Sequence, residues 1–118
     1  MARPDSNMRP AEFVAECRMP DAHFAAAFAL AVRCEVARRA GVAPGAVHAA
    51  DRLPEEWGDL FIRESLDAAE FVMELEAEFD VVIPDAGLVL FARESVGVGE
   101  LAAGVCAAAL GRQRPGRG

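Results

Sequence analysis

The chain has 118 residues, enough for one small domain with some tail, and its 53% hydrophobic and 26% charged content is that of a water-soluble globular protein. Its net charge of −7 is unevenly spread: residues 51–94 hold 13 Asp and Glu against three Arg, whereas the rest holds six acids against nine Arg. An acidic middle of this kind repels phosphate backbones and excludes nucleic acid as the partner of that surface.

In chain order, residues 1–20 read as an N-terminal extension: 1–9 are poor in apolar side chains and expected to be disordered, and Pro10 to Arg18 has room for one or two helical turns. Pro20 and Asp21 read as a helix start. Phe24, Phe28, Ala31, Val32 and Val36 then place an apolar stripe on a helix that stops at Gly41. The run from Phe24 to Val32 is too short to span a bilayer, and Arg33 before Cys34 spoils a lipoprotein cleavage site, so no stable membrane insertion and a cytoplasmic location are expected. Cys17, Cys34 and Cys106 are three scattered thiols without CxxC or His pairing, which suits small apolar side chains in a reducing compartment and no metal site.

The central segment, Glu64 to Asp85, reads ESLDAAEFVMELEAEFDVVIPD. From Ala68, apolar side chains at Phe71, Val72, Leu75 and Phe79 fall on one helical stripe, which predicts a core-facing side. Glu70, Glu74 and Glu78 recur every four residues on another face, with Leu66, Met73 and Ala77 between them, giving a mixed acidic and apolar rim suited to a basic partner. Ser65 is placed to cap this helix, with Asp67 in the first turn where a carboxylate meets the positive end of the dipole. Beyond it, Asp85 to about Ala92 has room for a short third helix, and Val98, Leu101, Ala102, Val105 and Ala109 restore helical spacing for a last one, with Gly111 as its C-cap. Residues 112–118 are Arg, Gly and Pro rich and read as a disordered basic tail.

The pattern around Ser65 resembles the acyl carrier proteins of fatty-acid and polyketide synthesis. Ser65-Leu66-Asp67, Glu70, Val72, Met73, Leu75-Glu76, Phe79 and Ile83-Pro84-Asp85 match that family in register, and Val42-Ala43-Pro44-Gly45-Ala46-Val47 resembles the opening of its long first loop, with Leu53 as an apolar anchor further on. The resemblance covers roughly residues 25–110. It implies an all-α fold, a small four-helix bundle with a long first loop and a short third helix, over residues 21–111. It further implies 4′-phosphopantetheine carried covalently on Ser65, and docking through Glu64, Leu66, Asp67, Glu70, Met73 and Glu74. The implied partners are a phosphopantetheinyl transferase and acyl synthases, transferases or reductases with basic patches, met by a monomer. Two departures stand out: Asp59-Leu60 is followed by Phe61-Ile62-Arg63-Glu64 where the family has Gly-x-Asp, and Gly97 replaces a capping Thr or Ser.

The alternative reading is an unmodified carrier-like interaction module. An enzyme is disfavoured, because His23 and His48 are isolated and the chain has no Gly-x-Ser-x-Gly elbow, phosphate loop or spacing that supplies Ser65 with a base.

Overall fold

The computed structural model describes residues 7–53, 65–84 and 96–113, with side chains throughout these except at Leu53, 65–68 and 111–113. Four helices dominate: α1 (Pro10–Cys17), α2 (Ala25–Ala40), α3 (Ser65–Phe79) and α4 (Val98–Gln113). A 3₁₀ turn at Pro44–Ala46 and an antiparallel ladder of two-residue strands, β1 (Arg52–Leu53) and β2 (Val96–Gly97), complete the described elements. The ladder pairs Arg52 with Gly97 and Leu53 with Val96. It ties the end of the first long connection to the start of α4. The expected short third helix, Asp85 to Ala92, lies outside the described residues.

The predicted core faces are buried with few exceptions. On α2, Phe28, Val32 and Val36 have no exposed surface, on α3 Phe71, Val72 and Leu75 are buried, and on α4 Val98, Leu101, Ala102, Val105 and Ala109 are buried. Phe24, Ala31 and Phe79 sit half-buried at the margin of this core. There the rings of Phe24 and Phe79 lie 6.0 Å apart, and Phe79 lies 5.1 Å from Phe28, tilted contacts that close α2 against α3.

Four expectations are corrected. First, the segment before residue 21 is not a mere extension: α1 is a helix of the bundle, with Phe13 fully buried and Cys17 4% exposed among residues of α2 and α4. Pro10 at its first position needs no N–H partner, and the Glu12 carboxylate accepts the Arg9 N–H at 3.0 Å, so the helix start is locally determined. Second, α2 begins at Ala25 and not at Pro20-Asp21, because a turn in which the Ala25 N–H donates to the Ala22 carbonyl at 3.0 Å comes first. Its end is as expected, with Gly41 at φ +75°. Third, α4 runs through Gly111 to Gln113, since a glycine near a helix end costs at most about 1 kcal/mol and does not force a stop. Fourth, Cys17 and Cys106 are buried, and burial pushes both thiols up to about 11, but Cys34 is exposed.

Gly97 dispenses with a capping hydroxyl because the start of α4 is capped from elsewhere. The Val98 N–H donates to the Asp51 carbonyl at 2.8 Å and the Gly99 N–H to the Ala49 carbonyl at 2.9 Å, while Glu100 accepts the Gly97 N–H at 3.2 Å. This close approach favours glycine at 99, where a Cβ would sit tightly against Ala49 Cβ at 3.1 Å and Cys17 Cα at 3.2 Å.

Candidate functional site

The site is built on α3, whose inner face is fixed by Phe71, Val72 and Leu75 and whose outer face carries the charge. Ser65 is the first residue of this 15-residue helix, followed in the first turn by Leu66 and Asp67. The first-turn N–H groups of any helix lack intrahelical acceptors, so this end of α3 favours an anion. Glu64 lies outside the described residues, and the side chains of Ser65, Leu66 and Asp67 do too.

Further along, the rim is as the spacing requires. Glu70, Ala77 and Glu78 are exposed, and Met73 is 63% exposed, a large apolar side chain in water among carboxylates. Beyond the helix, Asp80 adopts the left-handed conformation at φ +55°, and the Val81 N–H returns to the Glu76 carbonyl at 3.3 Å. The Glu76 side chain accepts the Ile83 N–H at 2.7 Å and so takes the structural place at the end of α3, not a place on the rim. Val82, 55% exposed, adds a second apolar side chain near that end.

Glu74 is placed differently from its neighbours on the rim. Its Oε1 accepts a hydrogen bond from Arg38 Nη2 of α2 at 2.9 Å, and the same nitrogen lies 2.5 Å from Glu35 Oε1. Arg39, stacked over Phe71 at 5.5 Å, donates to the same Glu35 oxygen. Glu35 is the hub of the group: burial raises its carboxyl, but hydrogen bonds with Glu74, Arg39 and Arg38 outweigh this and hold it below the ordinary glutamate range. Glu74 is pushed the other way, by its hydrogen bond with and repulsion from Glu35.

These opposite directions give opposite pH dependences. Stability from the lowered Glu35 is present at neutral pH and lost as pH falls through its lowered value, whereas the raised Glu74 contributes at low pH and its contribution is lost as pH rises through its raised value. Glu35→Gln is therefore expected to cost about 1–3 kcal/mol at pH 7, the worth of a hydrogen bond to a charged group, with the gap to wild type closing as pH falls below the ordinary glutamate range. Glu74→Gln should leave stability at pH 7 almost unchanged. Urea unfolding at pH 7 and at a series of pH values descending below the ordinary glutamate range measures both.

Arg33, the one buried cation identified among the described residues, was not among the candidates that spacing picked out. From the middle of α2 its Nε donates to the Val47 carbonyl at 3.0 Å and its Nη2 to the carbonyls of Met8 and Gly45, while the guanidinium lies 4.7 Å from the centre of the Phe13 ring. Its position on the predicted inner arc, between Val32 and Val36, was the available signal. Burial lowers its basicity, yet arginine stays protonated in proteins. It is a structural clamp between α1, α2 and the loop.

No group of three or more His, Cys, Asp or Glu able to hold a metal occurs among the described residues, and no described helix is long and apolar enough to cross a membrane. No protein-family model, curated protein or solved structure matches this chain.

Proposed function

We propose that this chain is an acyl carrier, modified on Ser65 with 4′-phosphopantetheine and recognised through the outer face of α3. The observation that carries the reading is Ser65 as the first residue of a 15-residue helix whose outer face combines Glu70, Glu78 and the exposed Met73. A phosphodiester fits this position because the unpaired N–H groups of a helix start favour anionic phosphate, and a serine hydroxyl is a competent acceptor for it. When bound, the arm supplies a terminal thiol that holds acyl groups as thioesters. The chain itself contributes no catalysis: Phe71, Val72 and Leu75 hold α3 in place, and the carboxylates steer encounter with basic patches on transferases and acyl-processing enzymes.

Incubation with coenzyme A and a promiscuous phosphopantetheinyl transferase should add one phosphopantetheinyl group, and Ser65→Ala should abolish the addition while leaving the fold intact. Ser65 is the first residue inside α3 and not the N-cap its sequence position suggested, so replacing it with Ala, the best helix former, should cost little against the margin of an ordinary domain. The docking part has its own check. Reversing Glu70 and Glu78 to Arg should raise the transferase's KM for this chain severalfold at low salt, and reversing Glu12 and Glu16 on α1 should change it much less. Equal effects from the two pairs would remove α3 from recognition. The missing Gly in the segment before Ser65 favours the second reading, a carrier-like module that docks without the arm, and a chain left unmodified by every transferase would select it.

A further inference from the structure

Among the described residues, Arg38 brings a cation of the chain's own to the rim of α3. Arg38 reaches from α2 to Glu74, 58% exposed against 50% for its partner, so water and other cations have access to both ends of the pair. Glu35 does not depend on Arg38 for its counter-ion, because Arg39, only 14% exposed and stacked on Phe71, pairs with the same carboxylate oxygen. Arg38 can therefore leave without stranding a buried charge. Glu70 and Glu78 sit one helical turn to either side of Glu74 on the same face, and both are exposed.

From this arrangement we infer that Arg38 is an intramolecular competitor for the docking face, occupying Glu74 until an arginine or lysine of a partner displaces it. The inference rests on the reading of α3 as a docking face, but not on modification of Ser65. Its consequence is a selective one. A partner that presents a single cation to Glu70 or Glu78 meets a free carboxylate, whereas one aimed at Glu74 must exchange with Arg38 first and gains only the difference between two similar ion pairs. Partners with several basic side chains, spaced to engage Glu70 and Glu78 as they displace Arg38, are favoured over those with one. The released guanidinium then lies beside the interface, open to an acidic group of the partner.

The probe is a hexa-arginine peptide titrated into the full-length, unmodified chain at about 0.15 M salt, where charges beyond about 8 Å are screened. Binding is followed by amide NMR shifts along α3. Arg38→Gln should tighten binding about twofold to fivefold, the factor that corresponds to one exposed ion pair. Arg9→Gln, which removes the same charge from the position before α1, should have no comparable effect. In a Glu74→Gln background the gain from Arg38→Gln should disappear, since the carboxylate that Arg38 occupies is gone. The inference is overturned if Arg38→Gln and Arg9→Gln tighten binding equally, if the gain persists without Glu74, or if the peptide leaves the α3 amides unmoved. Because neither coenzyme A nor a transferase is used, failure here leaves the carrier reading to its own test, and failure of Ser65 modification leaves this one standing. Circular dichroism of each variant checks the fold, and Arg38→Ala provides a second removal of the same guanidinium.

Discussion

Removing residues 1–20 should leave the chain unfolded or at the edge of unfolding at 25 °C. Phe13 is fully buried and Cys17 nearly so, and truncating a buried Phe alone costs about 3–5 kcal/mol. The deletion also takes away the Met8 N–H that donates to the Gly45 carbonyl at 3.0 Å and the ring on which Arg33 lies. Against a total stability of about 5–15 kcal/mol for a domain, losses of this size remove most or all of the margin. Removing residues 1–6 instead should keep the helical circular dichroism and the cooperative urea transition. If the chain beginning at residue 21 unfolds as cooperatively and at the same urea midpoint as the whole, α1 contributes nothing to the bundle.

The second large effect is expected at Arg33. Replacing it by Ala opens a cavity beside α2 and takes this donor from the carbonyls of Val47 and Met8, at about 1–3 kcal/mol for a buried group that water cannot reach, while the Gly45 carbonyl keeps the Met8 N–H. A loss of about 3–5 kcal/mol is expected from the cavity and the lost hydrogen bonds together. Arg33→Lys should recover only part of it. The Nε and Nη2 contacts diverge from a planar fork, whereas an ammonium is a single point donor that cannot serve both ends. Urea denaturation of the three proteins checks the order: wild type most stable, then Lys, then Ala. Arg33→Met at wild-type stability would show that the guanidinium adds nothing beyond packing.

What could be read from the residues divides along physical lines. The inner faces of α2, α3 and α4 were legible because their apolar side chains recur at helical spacing, and periodicity reports which side is buried. The role of α1 was not, since an eight-residue helix with one Phe carries too little periodicity, and its burial depends on partners far along the chain. The helix limits at Pro20 and Gly111 misled for a related reason. Both residues permit a boundary without imposing one, and the actual limits are set by the Ala22–Ala25 turn and by continuation of α4. At the site, the exposed rim of Glu70, Met73 and Glu78 followed from spacing alone. The engagement of Glu74 by Arg38 did not, because 36 residues separate the two in sequence and only the packing of α2 on α3 brings them together. Gly97 was read as a lost cap, yet the carbonyls that replace the hydroxyl come from Ala49 and Asp51, a donor–acceptor match that no local pattern reports.

Whether Ser65 carries a phosphopantetheine arm is decided by intact-protein mass spectrometry of the chain purified from its native host. The expected mass is increased by one phosphopantetheinyl group, with or without an acyl cargo, mapped by peptide fragmentation to Ser65 and absent from Ser65→Ala. A chain that appears only at its unmodified mass in the host, and that also resists modification by the host's own transferase, contradicts the account.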